Sequence, residues 1–305
     1  MLLGANGQLG RTFLDDGGLA ARGELIAASR DGLLTQGGRG EIADLSAPAS
    51  LTTLLERVQP DVIVNAAAYT AVDRAEIETE LANRVNGAAV GVLGQWAAKH
   101  DAKVLHYSTD YVFDGAQSQP YDVEAPTGPL GAYGRSKLMG EVALRESGAA
   151  HLILRTAWVY AEHGQNFLQT MLRLGRERDE LRIVDDQYGS PTDTRLIVQA
   201  SLCVLDHWTS TGGSEFDRTH HVVASGGTTW YGFAEAIFDQ AIALGLLARR
   251  PRVTPIPSSD FPTPAVRPAW SLLDNSRFQQ RFHFTLPNWQ NRLLDVMQQL
   301  AASSH

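Results

Sequence analysis

The feature that most constrains this chain is a rhythm of short, unbroken apolar runs separated by helical stripes. The runs fall at residues 24–28, 41–45, 61–68, 103–107 and 151–157. Between them, apolar residues recur at 81, 82, 85, 88, 89, 92, 93, 96 and 97, which is helix spacing, and 131–147 reads as another helix. Strands that do not alternate polar with apolar are buried on both faces. The pattern therefore predicts an α/β fold, a Rossmann-type doubly wound parallel sheet with helices on both sides. Ligands of such a sheet bind beyond the carboxyl ends of its strands. Gly7, Asp44, Ala68 and Thr109 all fall at predicted strand ends, on one edge.

The chain opens MLLGANGQLG, so three apolar residues run into Gly4-x-x-Gly7-x-x-Gly10. Glycines in this pattern permit a tight turn, close approach of backbone to a pyrophosphate, and close helix packing. Any tight strand-to-helix turn can carry such glycines; the position directly after an apolar start makes dinucleotide binding the expectation. First strands usually have four to six residues, so either two or three residues precede Met1 or the start codon is misassigned. The second run ends Ala28-Ser29-Arg30. A carboxylate there would bond a ribose 2′-hydroxyl and repel a 2′-phosphate. A hydroxyl and a cation favour NADPH, with NADH possible. Arg30 could also be a solvated loop charge, and neighbouring Asp31 weakens the preference.

Chemistry concentrates in residues 106–141, which include HYSTDYVFDG and YGRSKLMGE. Ser108 and Thr109 form a hydroxyl pair at a predicted strand end. Tyr133 and Lys137 lie four apart, on one face of a helix. That spacing alone would arise by chance in roughly one such chain in ten. Lysine usage adds weight, because only three of the 26 basic residues are lysine: Lys99, Lys103 and Lys137. A chain that otherwise uses arginine keeps lysine where a compact point charge matters. The bland alternative is a solvated helix face.

The second half breaks the rhythm. Residues 164–178, 194–205 and 289–300 read as helices, 181–185 and 220–224 as strands, 186–192 as a loop. Residues 251–268 hold six prolines and read as irregular chain. The expected division is a dinucleotide-binding domain over 1–157, to which 192–226 returns, and a smaller mixed substrate domain over 158–191 and 227–305. A net charge of −8 argues against nucleic acid as a partner. Cys203 is the only cysteine, so no internal disulfide is available and a reducing cytoplasm is the expected compartment. No apolar run reaches membrane-spanning length, and no signal peptide is visible.

Gly4-x-x-Gly7-x-x-Gly10 together with Tyr133-x-x-x-Lys137 resembles the extended short-chain dehydrogenase/reductase superfamily. Within it, six blocks in order resemble the dTDP-4-dehydrorhamnose reductase family: 4–10, 61–76, 106–115, 133–141, 155–167 and 184–192. The stretch 266–278 fits as well. The resemblance implies reduction of the 4-keto group of dTDP-4-dehydro-L-rhamnose to dTDP-L-rhamnose, the last step in making that sugar nucleotide for cell-surface polysaccharide. It implies Tyr133 as the acid, Lys137 as the cation that lowers the phenol's pKa and holds the nicotinamide ribose, and Thr109 at the carbonyl oxygen. Gly7, Gln8 and Leu9 would line the pyrophosphate turn, Asp44 and Leu45 would contact adenine, and Ala68, Tyr69, Thr70 and Tyr107 would flank the cofactor. Asp110 and Trp158 would contact the sugar nucleotide. Asn166 and Arg267 are weaker candidates for the nucleotide end, where a diphosphate needs a fork-shaped cation. Asp110 as a plain turn residue and Trp158 as a core aromatic remain open alternatives.

Some relatives bind magnesium through acidic residues near the C-terminus, but 289–295 has few carboxylates, and no metal site is expected. His220 and His221 are adjacent on a strand, point to opposite faces and make a poor ligand pair. The expected partner is a dTDP-sugar, with a homodimer possible. Two other functions stay open: another sugar-nucleotide enzyme such as a 4-epimerase, and a non-catalytic NADP-binding regulatory subunit like the beta subunit of methionine adenosyltransferase.

Overall fold

The computed structural model describes residues 1–211 and 219–303. Six strands, β1 (Leu2–Leu3), β2 (Ala27–Ser29), β3 (Glu41–Ile42), β4 (Val62–Asn65), β5 (Lys103–Thr109) and β6 (Ala150–Thr156), join a seventh, Thr219–His221, in one sheet. The order is Thr219–His221, β6, β5, β4, β1, β2, β3, and every pairing is parallel. This is the doubly wound arrangement predicted from the apolar runs. The strand order reverses between β1 and β4, which opens a crevice at their carboxyl ends.

The runs lack alternation because both faces are covered. Leu3, Ile63, Val104 and Ile153 pack with Leu51, Leu55, Leu93 and Trp96 on one side. Their neighbours Leu2, Val64, Leu105, Leu152 and Leu154 pack with Phe13, Ile197 and Val198 on the other. Successive strand residues point to opposite faces, so each face receives its own apolar set.

Several expectations shift. The 81–99 stripe is not one regular helix. It comprises Thr79–Asn83, a wide π turn over Arg84–Ala88, and Ala89–Lys99. The wide turn aims Asn86 at the backbone of Tyr69, whose N–H donates to Asn86 Oδ1 (2.8 Å) and whose carbonyl accepts from Asn86 Nδ2 (3.0 Å). Such local widening of a helix is frequent at functional sites. The proline-rich 251–268 stretch is not wholly irregular, since Arg252–Ile256 pairs in parallel with Glu180–Val184. A two-stranded sheet has free edges, so it tolerates Pro255, which lacks an N–H. Two helices absent from the sequence reading are Trp230–Ala243 and Ser276–Phe282. The first is capped by Thr229, whose hydroxyl accepts from Gly232 N.

Residues 212–218, part of the expected 192–226 segment, lie outside the described residues. On either side of them, the Thr194–Thr211 helix packs on the Gln8–Asp16 helix and Thr219–His221 extends the main sheet beside β6. No helix among the described residues is long and apolar enough to cross a membrane.

Under the carboxyl end of β5 lies a buried ion pair. Arg155 Nε and Nη2 donate to the two carboxylate oxygens of Glu141 at 2.9 and 2.8 Å, and Arg145 adds a further bond. Burial pushes the Glu141 carboxyl up, but the bonds and charge of Arg155 outweigh it and hold it below the ordinary value, with Ser108 and Arg145 helping. Arg155→Met leaves the carboxylate with only Arg145 and Ser108, and we expect a stability loss of about 3 kcal/mol by urea denaturation. Because the folded-state pKa is depressed, the stabilisation is fully present above the ordinary glutamate value and is lost as pH falls from there through the lower folded-state value. The Arg155→Met deficit should therefore shrink on acidification; a constant deficit would exclude the pair as its source.

Candidate active site

The glycine turn joins β1 to the Gln8–Asp16 helix and forms one wall of the crevice. Gly4 has φ +78°, and a Cβ there would lie 2.6 Å from the backbone nitrogen of Ala67. A Cβ at Gly10 would lie 2.1 Å from the Gly4 carbonyl oxygen. Gly7 is extended (φ −70°) and sits at the N-cap of the helix. The turn therefore carries no side chain at Gly4, Gly7 or Gly10 and ends on the N-terminus of a nine-residue helix. Its first amides lack intrahelical partners and favour an anion, so the turn fits a pyrophosphate. Ala66–Thr70 follow β4 and form the opposite wall.

Gln8 ties the second half of the chain to this turn. Its side-chain oxygen accepts from Asn166 Nδ2 at 2.7 Å, and its carbonyl lies 3.1 Å from His163 Nε2. Asn166 also donates to the Ala161 and His163 carbonyls and caps the Phe167–Glu177 helix by accepting from Gln169 N. The structure thus places Asn166 at the glycine turn. It shares no bonding partner with Arg267, with which it was grouped. Arg267 forms a bidentate pair with Asp73 (2.8 and 3.0 Å) and reaches Tyr111. Its fork is already occupied by a carboxylate.

At the end of β2, the Ser29 hydroxyl is buried and donates to the Leu33 carbonyl at 2.8 Å, so it braces the loop. Arg30 is exposed, and its charge is felt by Asp31 and Asp44. Asp44 accepts from the amide and hydroxyl of Ser46. Leu45 belongs to the core beneath. Tyr69 donates its hydroxyl to Glu78 (2.6 Å).

Thr109 ends β5 and meets Tyr133 at the start of the Ala132–Glu146 helix. The Thr109 hydroxyl donates to Asp110 Oδ1 at 2.9 Å and accepts from Tyr111 N at 3.2 Å. Burial pushes the Tyr133 phenol up to about 12, the Thr109 hydroxyl pulls it back, and the Asp110 charge adds to the rise. The Tyr111 and Tyr133 rings meet edge to face at 5.5 Å. Burial raises the Asp110 carboxyl to about 6 against the hydroxyls of Ser271 and Thr109. Asp110 is thus a buried group beside the two hydroxyls, not an exposed turn residue.

Lys137 is 2% exposed, and its ammonium donates to the Tyr107 carbonyl at 2.7 Å. Burial lowers its pKa to about 8, with the Glu141 charge opposing. The sequence reading has Lys137 lowering the Tyr133 phenol. In this structure the groups acting on the phenol are its burial, Thr109 and Asp110, while Lys137 is engaged by Tyr107 and His106. The Tyr107 side chain does not face the crevice chemistry either. Its hydroxyl bonds Ser201 Oγ (2.7 Å) within the core, so its contribution is its carbonyl.

Trp158 follows β6 with φ +46°, a left-handed backbone that costs a bulky residue about 1–2 kcal/mol. Its ring stacks on Trp230, centroids 3.5 Å apart, and covers Gly189, where a Cβ would lie 2.3 Å from the indole. Sequence reasoning gave no signal for Trp230, because its helix went unseen. It also missed His106, Asn65, Asn86 and Ser136, which line the buried side of Tyr133 and Lys137; isolated polar residues inside apolar runs were the available sign. Among the described residues no group of three or more His, Cys, Asp or Glu could hold a metal ion.

The RmlD substrate binding domain family matches residues 1–302. A dTDP-4-dehydrorhamnose reductase of Burkholderia thailandensis is 43% identical over 293 residues, covering 95% of this chain and 94% of that protein. The crystal structure of a dTDP-4-dehydrorhamnose reductase from Clostridium acetobutylicum superposes with a TM-score of 0.86 at 32% identity, covering 98% of both chains. That of the Bacillus anthracis enzyme, in complex with NADP, gives a TM-score of 0.83 at 29% identity over 97% of this chain and 96% of that one. With a family match and relatives that run nearly end to end, the chain belongs to the dTDP-4-dehydrorhamnose reductase family.

Proposed function

We propose that the protein reduces the 4-keto group of dTDP-4-dehydro-L-rhamnose to give dTDP-L-rhamnose, using NADPH. The observation that carries this is the meeting of Tyr133, Thr109 and Asp110 at the carboxyl end of β5, beside the glycine turn. The names of the relatives agree with it. NADPH would supply the hydride; Gly4, Gly7, Gln8, Leu9 and Gly10 would hold its pyrophosphate. Asp44, Leu45, Ala68, Tyr69, Thr70 and the Tyr107 carbonyl would complete its site. Arg30, on the loop that Ser29 braces, would meet its 2′-phosphate.

The chain's own chemistry is proton delivery. A phenol raised to about 12 keeps its proton at neutral pH. An alkoxide forming at the keto carbon is far more basic, so Tyr133 gives up that proton only as the charge develops. Thr109 turns its single hydroxyl proton from Asp110 to the same oxygen. Lys137 holds the nicotinamide ribose. Asp110 and Trp158 orient the sugar, with Arg267 and Asn166 at the edge of the site. The chain divides into a cofactor unit, 1–157 with 192–226, and a substrate unit, 158–191 and 227–305, which the tie between Gln8 and Asn166 brings together. It works in the cytoplasm, and a homodimer is compatible with that role.

Tyr133→Phe should bind NADPH as tightly as the native enzyme but lose about 10²–10⁴-fold in kcat, followed as nicotinamide absorbance with the keto sugar made in situ. Near-native turnover would refute the acid assignment, and no turnover by the native protein would favour a regulatory role. kcat/KM should be higher with NADPH than with NADH, and Arg30→Ala should narrow the gap. An equal or better value with NADH in the native protein would remove Arg30 as a determinant.

A further inference from the structure

Behind Lys137 runs a line of buried polar groups that the proton-delivery scheme does not use. Asn65 ends β4, His106 lies in β5, and both are essentially inaccessible. Asn65 Oδ1 accepts from the Ala67 amide at 3.3 Å. Its Nδ2 lies 3.1 Å from His106 Nδ1. His106 Nε2 lies 3.3 Å from Lys137 Nζ, which also donates to the Tyr107 carbonyl.

The proton positions follow from the fixed end. The Ala67 amide can only donate, so the oxygen of Asn65 must face it; the opposite orientation would set two donors against each other. The Asn65 amide nitrogen therefore donates to His106 Nδ1, which must be the bare nitrogen. The ring proton then sits on Nε2 and faces Lys137. An ammonium has three donors and no acceptor, whereas a neutral amine can accept that N–H while still donating to Tyr107.

We propose that Asn65 and His106 are positioning residues that set the charge of Lys137 from behind: Asn65 locks the imidazole with its proton on Nε2, and that N–H favours the amine over the ammonium. This inference rests on the reading of Lys137 as a cofactor-side catalytic group. Lys137 is faced by His106 from β5 and feels the charge of Glu141 from its own helix. Its pKa is lowered to about 8, mainly by burial and against the Glu141 charge. His106 is faced by Lys137 and by His151 from β6. Burial first, then those two groups, hold it well below its ordinary value, so it stays neutral. Lys137 is then a group whose charge can respond to a cofactor hydroxyl, rather than a fixed cation.

With only three lysines in the chain, ¹³Cε-lysine labelling gives three resonances, assignable with Lys99→Arg and Lys103→Arg. In the native protein the Lys137 signal should titrate at least tenfold more acidic in proton concentration than the other two. His106→Gln offers Lys137 a side-chain carbonyl acceptor and should raise its pKa by about one unit or more. Asn65→Leu keeps the imidazole but releases its tautomer, and should raise it likewise. Unchanged Lys137 titration in both variants overturns the proposal. A measurement on the native protein needs no variant to fold: ¹⁵N shifts of the His106 ring should report a bare Nδ1 and a protonated Nε2, and the reverse tautomer also overturns it. The kcat–pH profile separates the two readings. If the lysine resonance moves in His106→Gln while the profile does not, the charge-setting inference stands and the catalytic role of Lys137 fails.

Discussion

The structure depends on a backbone-to-backbone contact that leaves no room for side chains. β1, the first turn of the Gln8–Asp16 helix and the segment after β4 converge where the sheet order reverses. Gly4 abuts the backbone of Ala66 and Ala67, and Gly10 abuts Gly4. A side chain at Gly4 would force the two walls of the crevice apart, and one at Gly10 would push the helix off the turn. Keeping them together has two results. It leaves a helix N-terminus bare toward an anion. It also fixes the Ala67 amide, from which the hydrogen-bonded line through Asn65 and His106 reaches Lys137. The glycine turn and Lys137 are thus referenced to the same few backbone atoms.

The hydroxyls of Thr109 and Tyr133 are held differently. Thr109 ends a strand that is paired with β6 over its whole length and with β4 as far as His106. Tyr133 starts a helix that leans on the wide turn around Asn86, where Ser136 accepts from Asn86 Nδ2 at 2.9 Å. A regular helix over 79–99 would rotate Asn86 away from Tyr69 and Ser136, because one extra residue per turn shifts every following side chain by about 100°. The irregularity therefore couples the Ala66–Thr70 wall to the helix that carries Tyr133 and Lys137.

Much of the sheet was legible because each strand obeys a local rule: a short apolar run between turn residues, buried on both faces. The site was legible where chemistry and spacing coincide, at the glycine turn and at Tyr133 and Lys137. What escaped had no periodic signal. The Trp230–Ala243 helix is apolar nearly all round and offers little amphipathic contrast. The strand at 252–256 hides behind its prolines, because edge pairing relaxes the usual prohibition. The commitments of Asn166 to Gln8, of Arg267 to Asp73 and of the Tyr107 hydroxyl to Ser201 are tertiary contacts across 94 residues or more. No local pattern encodes such partners.

The scarcity of lysine gains a physical meaning from this arrangement. Arginine serves nearly everywhere a cation is needed, and in the buried pair with Glu141 its planar fork matches a carboxylate. At position 137 the requirement is different. The cation meets one carbonyl and one imidazole edge in a volume closed to solvent. A guanidinium would bring five donors to a place that offers few acceptors, and it could not shed its proton to relieve the mismatch. An amine can, because its charge is only marginally favoured once buried. On the proposed reading of Lys137, the position calls for a cation that can stop being one.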